Sequence, residues 1–158
     1  MEIISHSLSE TGELAAQIVT DLEEKRRGGK VAMVVALQGD LGSGKTSFTQ
    51  AVARVLGIKE RVTSPTFVIM KTYQWQGFPL PKSKGNPFSP WRRLVHIDCY
   101  RLEGPADLLH LGWNEIIADR HNLILIEWPE RVGNLLTTPT LKIKFEVMGE
   151  NVRKIIYG

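Results

Sequence analysis

Eight consecutive residues of this chain have the types and spacing of a loop that binds phosphate groups. They match the pattern G-x-x-x-x-G-K-S/T throughout. Glycines allow the backbone to curve so that its N–H groups point at phosphate oxygens. The lysine of this pattern can reach the β- and γ-phosphates, and the following hydroxyl can bind Mg²⁺. The residues are Gly39, Asp40, Leu41, Gly42, Ser43, Gly44, Lys45 and Thr46.

Two acidic residues each end a short apolar run, as the metal-linked carboxylates of phosphate sites do. Asp98 ends the run at residues 94–98, and Glu127 ends the run at residues 123–127. A carboxylate at such a strand end either holds the hydration shell of Mg²⁺ or orients the attacking water. Both acids are candidates, and the sequence does not divide the two roles between them.

Three further side chains are candidates with two interpretations each. Thr66, in Ser64-Pro65-Thr66-Phe67, has a hydroxyl that can face a γ-phosphate, or that simply caps a turn. Trp128 is a candidate for packing near a nucleotide base, or is a plain core tryptophan. His96 is a candidate for a phosphate contact, although a hydrogen-bonded structural histidine is the plainer interpretation.

The residues around the loop predict the strand and the helix that a phosphate site of this kind requires. Residues 31–37 are nearly all apolar, as expected of a strand that is buried on both faces. Apolar residues recur at helical spacing over residues 48–56, and Gly57 supplies a stop. The loop is therefore expected between a buried strand and the N-terminus of a helix, where the helix dipole favours anions.

The remaining elements predict an α/β fold. Residues 1–7 indicate an extended segment, and Thr11 is a candidate N-cap for a helix that runs to about residue 27. A strand is expected at residues 67–73, a helix from Pro105 and a second short helix at residues 113–118. From Pro105 onwards, the side chains expected to pack inward are Leu108, Leu109 and Leu111.

The end of the chain alternates apolar and polar residues at residues 141–147, and residues 152–157 can pair back as a hairpin. We therefore expect one P-loop NTPase-like domain over residues 1–158. Its mixed, mostly parallel central sheet is flanked by helices and carries a C-terminal antiparallel hairpin.

Composition limits the classes of protein to which the chain can belong. With 158 residues, it is long enough to bury a core of its own. No apolar run has the length of a membrane span, and no signal peptide is evident. Its one cysteine, Cys99, cannot form an internal disulfide, which favours a cytoplasmic location. A net charge of +3 permits an acidic or RNA partner without indicating one.

Residues 74–93 differ from the rest, because they combine prolines, aromatic side chains and basic side chains without an acid. We expect a long surface loop or insertion. Aromatic and basic side chains together can bind single-stranded RNA. The alternative, which we favour, is a hairpin insertion whose aromatic side chains pack on the core.

Four motifs together resemble the TsaE (YjeE) family of small bacterial P-loop ATPases, which are needed to make threonylcarbamoyladenosine in tRNA. They are residues 39–46, Ser64-Pro65-Thr66-Phe67, His96-Ile97-Asp98-Cys99-Tyr100-Arg101-Leu102 and Ile126-Glu127-Trp128-Pro129-Glu130-Arg131. The resemblance covers nearly the whole chain, although residues 74–93 look longer than the family's usual connection.

The resemblance implies roles for individual residues. Lys45 and Thr46 would bind the phosphates of ATP or ADP and Mg²⁺, and Glu127 would complete the metal site. Asp98 and Thr66 would serve hydrolysis and sensing of the γ-phosphate. Thr11, in the family's N-terminal Thr-x-x-Leu-Ala pattern, would help to seat the nucleotide.

The resemblance also implies partners. Family members work with a TsaD-like threonylcarbamoyl transferase and a TsaB-like subunit, and hydrolysis would reset that complex between turnovers. The ATPase would be weak alone and stimulated by these partners, and tRNA would be met through the complex. Two other functions stay open on the sequence alone. A small-molecule kinase uses the same loop with an acceptor site and a lid, and an RNA-binding protein would use residues 74–93.

Overall fold

The computed structural model of the chain describes residues 1–25, 29–75, 90–136 and 140–158. Within these ranges seven strands form one sheet. The strands are β1 (Glu2–Ser5), β2 (Met33–Gln38), β3 (Met70–Gln74), β4 (Arg93–Asp98), β5 (Asn122–Glu127), β6 (Thr140–Val147) and β7 (Arg153–Tyr157). The helices are α1 (Leu8–Lys25), α2 (Lys45–Val55), α3 (Pro105–His110) and α4 (Trp113–Ala118), with 3-10 turns at Pro129–Arg131 and Gly133–Leu135.

The strand order is β1-β7-β6-β2-β5-β4-β3, with β2 in the middle of the sheet. The four central strands run parallel, because β2 pairs with both β5 and β6, and β5 pairs with β4. The outer strands β3, β7 and β1 pair antiparallel with their neighbours. The predicted α/β class, the mixed sheet and the C-terminal hairpin are thus confirmed.

Both faces of the central strands are buried, which explains why the sequence of β2 is apolar without alternation. Val35 and Leu37 face the core beneath α1 and α2, whereas Val34 and Ala36 face the core beneath α3 and α4. Parallel strands present their carboxyl ends at one edge of a sheet. The ends of β2, β4 and β5 therefore bring the phosphate loop and the two candidate acids together.

The expected N-cap at Thr11 is wrong, because α1 already begins at Leu8. Ser7 provides the cap instead, since its Oγ accepts a hydrogen bond from the Glu10 N–H at 3.2 Å. The Glu10 carboxylate in turn accepts one from the His6 N–H at 2.7 Å. Ser-x-x-Glu is the sequence signature of a capping box, so the signal was present in the sequence, although Glu10 here bonds the residue before the cap.

Two further expectations about local structure are wrong. Leu108 is buried as expected, but Leu109 remains 39% exposed because the six-residue α3 turns only one face inward, and Leu111, which follows the end of α3, remains 37% exposed. The strand expected from residue 67 begins only at Met70. The preceding residues form a turn on Pro65, whose carbonyl accepts the N–H of Ile69 at 2.6 Å, so the turn overrides their β propensity.

The described ends of residues 74–93 pack on the core. Trp91 is 1% exposed, and Trp75 contacts the same apolar cluster beneath α1 and α2. The rest of this predicted surface loop, residues 76–89, lies outside the described residues, as do residues 26–28, where the first helix was expected to end. Among the helices that the structure describes, none has both the length and the apolar character to cross a membrane.

Candidate nucleotide-binding site

The glycine-rich loop connects β2 to α2, as the sequence predicts. Gly39 has a φ of 141° and Gly44 has a φ of 108°, a region that side chains with a Cβ rarely adopt. A Cβ on Gly39 would also lie 2.5 Å from the carbonyl oxygen of Phe145 and 2.7 Å from Ser43 Oγ. The shape of the loop therefore depends on glycine at this position for both conformational and steric reasons.

Lys45, at the first position of α2, is only 4% exposed. Its ammonium donates hydrogen bonds to the carbonyl oxygens of Gly39 at 2.6 Å and Asp40 at 2.9 Å, and lies 4.5 Å from the ring centroid of Trp128. Burial lowers the pKa of Lys45, and the carboxylates of Glu127 and Asp98, among others, oppose that shift.

Within the described ranges, no carboxylate forms an ion pair with this lysine. Its direct contacts in the described part of the chain are with two carbonyl oxygens and the ring of Trp128. An anion at the loop would therefore supply the direct countercharge that the Lys45 ammonium lacks.

Thr46 and Glu127 form the first of two hydroxyl–carboxylate pairs. The Thr46 hydroxyl donates to Glu127 Oε1 at 2.9 Å, joining the start of α2 to the end of β5. Glu127 Oε1 also lies 2.8 Å from Nε2 of His96, whose side chain is fully buried. His96 thus contacts the acid, in agreement with its interpretation as a structural histidine.

Thr66 and Asp98 form the second pair. The Thr66 hydroxyl donates to Asp98 Oδ2 at 2.6 Å, and its oxygen lies 2.7 Å from Ser64 Oγ. The other oxygen of Asp98 accepts the backbone N–H of Tyr100 at 2.9 Å. Asp98 is therefore held by the turn that follows β4 and by the segment that precedes β3.

Two clefts open on either side of the loop. The first, of about 220 Å³ and here called the acidic cleft, contains both pairs together with the ring of Trp128. The second, of about 570 Å³ and here called the wide cleft, is lined by Thr11, Asn151 and Arg153. The structure thus brings Trp128 to Lys45 and Thr11 to the opposite side of the loop.

The sequence does not single out Arg153, the first residue of β7. Its Nε donates to the carbonyl oxygen of Ser43 at 3.1 Å, and its guanidinium also donates to that of Gly149 at 2.9 Å. Arg153 therefore connects the hairpin turn to the phosphate loop. Its position in an alternating strand gave no signal, because the contact spans 110 residues of sequence.

The residues at the loop fit a nucleotide with its magnesium ion. Among the described residues, the buried Ser43 Oγ has no hydrogen-bond partner and the buried Lys45 has no carboxylate in an ion pair with it. Mg²⁺ prefers oxygen ligands and binds with few carboxylates in company with phosphates and water. Thr46 and Glu127 supply a hydroxyl and a carboxylate in hydrogen-bond contact beside the loop.

A glycine-rich loop between a central strand and a helix, with acids at neighbouring strand ends, defines a P-loop NTPase-like α/β protein. Residues 5–155 match the family described as threonylcarbamoyl adenosine biosynthesis protein TsaE. The chain therefore belongs to the TsaE family.

Individual relatives agree with this assignment. The tRNA threonylcarbamoyladenosine biosynthesis protein TsaE of Rickettsia felis is 36% identical over 121 residues, which cover 76% of this chain and 61% of the relative. This chain thus spans less than two thirds of that relative. The protein of the same name from Treponema pallidum is 32% identical over 155 residues, with 98% of both chains covered.

A solved structure has the same fold. The crystal structure of Bacillus subtilis YdiB aligns with a TM-score of 0.69 and 27% sequence identity, covering 99% of this chain and 83% of YdiB. The similarity extends over the whole α/β sheet with its parallel centre.

Proposed function

We propose that this chain binds ATP and ADP with Mg²⁺ at residues 39–46 and hydrolyses ATP as a subunit of a complex that makes threonylcarbamoyladenosine in tRNA. The observation that carries the proposal is the hydrogen bond of 2.9 Å between Thr46 and Glu127. It unites the last residue of the phosphate loop with the acid of the adjacent strand, as a shared magnesium site requires. Membership of the TsaE family supports the role in tRNA modification.

Lys45 and the backbone N–H groups of the loop would bind the phosphates. The Lys45 ammonium rests on the carbonyl oxygens of Gly39 and Asp40, so it needs only a short movement to exchange them for phosphate oxygens. The N-terminus of α2 adds its positive dipole at the same place. Binding would then replace the neutral carbonyl acceptors of the ammonium with anionic phosphate oxygens, so that both partners of the hydrogen bond carry charge.

Thr46 and Glu127 would hold Mg²⁺, which supplies charge neutralisation on the β- and γ-phosphates when bound. Asp98 and Thr66 lie in the same acidic cleft and would orient the attacking water and sense the γ-phosphate. The Thr66 hydroxyl already donates a hydrogen bond to Asp98 Oδ2. If that hydroxyl donated to a γ-phosphate instead, Asp98 Oδ2 would lose this hydrogen bond. That coupling would tie hydrolysis to the presence of a triphosphate.

The wide cleft would seat the rest of the nucleotide. Thr11 lies there with a hydroxyl 2.8 Å from Ser5 Oγ, and Gly42 and Gly44 of the loop line both clefts and form the wall between them. A nucleotide crossing this wall would have its phosphates at Lys45 and its base or sugar near Thr11. Trp128, by contrast, would contact the phosphate end.

The partners we propose are a TsaD-like transferase and a TsaB-like subunit, with tRNA met through their complex in the cytoplasm. Hydrolysis would reset the complex between turnovers, and the isolated chain would hydrolyse ATP slowly. The support for this is the family and the names of its relatives, which are tRNA threonylcarbamoyladenosine biosynthesis proteins.

Lys45→Ala tests the proposal, with Lys142→Ala, which changes an exposed lysine of β6, as the matched control. We expect Lys45→Ala to abolish ATP binding in titration calorimetry and threonylcarbamoyladenosine formation with the reconstituted partners. Lys142→Ala should leave both unchanged. Normal binding and modification by Lys45→Ala would contradict the proposal. Transfer of labelled phosphate from ATP to a nucleoside or sugar would indicate a kinase instead.

A further inference from the structure

His96 is fully buried in β4, between Lys71 of β3 and Leu125 of β5 in the strand register. Its side chain lies on the α1 and α2 side of the sheet, because its neighbours Val95 and Ile97 face the opposite core. Glu127 follows Leu125 by two residues and so lies on the same side. The buried imidazole and the carboxylate therefore meet beneath the first turn of α2.

We propose that His96 is a positioning residue that fixes the carboxylate of Glu127 for the metal ion, and the proposal rests on the magnesium site proposed above. Two groups converge on Glu127 Oε1, His96 Nε2 at 2.8 Å and the Thr46 hydroxyl at 2.9 Å. Neither contact uses Oε2. The carboxylate is thus oriented through one oxygen while the other is left for the ion or its water.

The contact also defines the tautomer of His96. An ionised carboxylate only accepts hydrogen bonds, so Nε2 must carry the proton that Glu127 accepts. Nδ1 is buried and has no partner among the described residues. The hydrogen-bond geometry therefore makes Nε2 the donor to Glu127.

His96 matters most once the metal site is occupied. The Thr46 oxygen would then bind the ion, whereas His96 lies beneath the site and would keep its hydrogen bond to Glu127. Partners that orient a metal ligand from behind typically change metal affinity by roughly 10- to 100-fold when they are removed. His96 should therefore affect the binding of Mg²⁺ and leave metal-free nucleotide binding to the loop and Lys45.

Three substitutions separate positioning from packing. His96→Gln can place an amide N–H near the position of Nε2, whereas the shorter His96→Asn cannot reach it, and His96→Leu removes the donor altogether. ADP affinity is measured by titration calorimetry in EDTA and over a series of Mg²⁺ concentrations. We expect His96→Asn and His96→Leu to need roughly tenfold more Mg²⁺ at unchanged affinity in EDTA, and His96→Gln to restore much of the difference.

The outcomes distinguish this proposal from the proposed function. A wild-type chain that does not bind ADP, or that binds it without any effect of Mg²⁺, would overturn the proposed function. If Mg²⁺ strengthens ADP binding in the wild-type chain and equally in His96→Asn, only the role of His96 is overturned. An equal loss of affinity in EDTA and in Mg²⁺ would likewise show that His96 merely supports the fold.

A spectroscopic measurement on the wild-type chain avoids any variant that fails to fold. Nitrogen NMR of histidine-labelled protein reports which ring nitrogen of His96 carries the proton. We expect the proton on Nε2 with and without Mg²⁺–ADP. A proton on Nδ1 alone would make Nε2 unable to donate to Glu127 and would overturn the proposal.

Discussion

Asp98 and Glu127 occupy paired positions at the ends of neighbouring parallel strands, yet their carboxylates bond hydroxyl groups from different parts of the chain. Glu127 accepts from Thr46 of α2 at 2.9 Å, whereas Asp98 accepts from Thr66, outside any helix or strand, at 2.6 Å. Only Glu127 is tied to the phosphate loop. Replacing Glu127 should therefore impair a different step from replacing Asp98.

Replacing each acid by its amide tests this division. We expect Glu127→Gln to weaken ADP binding in Mg²⁺ but not in EDTA, because the neutral amide oxygen lacks the charge with which the carboxylate attracts the ion. Asp98→Asn should keep Mg²⁺-dependent ADP binding and lose hydrolysis by about 10²- to 10⁴-fold, as expected when a group that handles the proton of water is removed. Titration calorimetry and phosphate release with the partner proteins measure the two effects. Identical behaviour of both variants would contradict the division.

The contact between Arg153 and the phosphate loop predicts a role in nucleotide affinity. Arg153→Leu removes the donors to the carbonyl oxygens of Ser43 and Gly149, so the loop should lose part of its preorganisation. We expect ADP affinity to fall about tenfold, a change of about 1.4 kcal/mol.

Lys154→Met is the matched control for Arg153→Leu. Lys154 is the next residue of β7, and its ion pairs within the described ranges are with surface carboxylates, including Glu2 at 3.2 Å, an interaction worth about 0–1 kcal/mol. The Lys154→Met variant should bind ADP with the affinity of the wild-type chain. Equal affinities for the two variants would show that the contact of Arg153 does not organise the loop.

Gly39→Ala should damage the site through backbone conformation and steric overlap. The new Cβ would meet the Phe145 carbonyl oxygen at 2.5 Å, and the φ of 141° is unfavourable for alanine. We expect a lower melting temperature and loss of ADP binding.

Gly12→Ala provides the contrasting glycine substitution, because Gly12 lies inside α1 and a Cβ there meets no atom within 4 Å. It should stabilise the chain by about 0.5–1 kcal/mol, since alanine favours the helix. Chemical denaturation measures both variants. A stable Gly39→Ala chain with normal ADP affinity would contradict the proposed importance of the loop shape.

The buried thiol of Cys99 should make the free energy of unfolding depend on pH. Burial raises the pKa of its thiol from 9.0 to about 12, and the carboxylates of Asp98 and Glu130 add to the shift. The unfolded chain releases this proton near its ordinary pKa while the folded chain retains it. The contribution of Cys99 is therefore complete below about pH 9 and is lost as the pH rises towards 12.

Thiol labelling and denaturation test this prediction. We expect native Cys99 to resist a thiol reagent at pH 8 and to react fully in denaturant, because only the unfolded chain exposes a thiol that ionises there. Cys99→Ala should lose less stability than the wild-type chain between pH 9 and pH 11, where only the wild-type thiol responds to pH. Rapid labelling of the folded chain would contradict the buried, protonated state.

The sequence was sufficient to predict the centre of the fold and the candidate site because that information is local. The loop between β2 and α2 is a contiguous motif, and apolar runs that end in an acid predict the ends of β4 and β5. Since parallel strands end at one edge, the proximity of Asp98 and Glu127 follows from these runs alone.

The remaining contacts depend on tertiary structure that a single sequence does not encode locally. The bonds of Thr66 to Asp98 and of Arg153 to Ser43 join segments 32 and 110 residues apart. The start of α1 was predictable in principle, because Ser7 and Glu10 form a local capping signature. Phe67 and Val68, 87% and 58% exposed, show the opposite case, where a proline turn overrides strand propensity.

The most direct measurement of the central claim is a crystal structure of the chain grown with a non-hydrolysable ATP analogue and Mg²⁺. We predict phosphates against residues 39–46, with Lys45 moved from the loop carbonyls onto a phosphate oxygen. The ion should lie between the Thr46 hydroxyl and the Glu127 carboxylate. Nucleotide bound elsewhere, or an ion bound away from both side chains, would contradict the account.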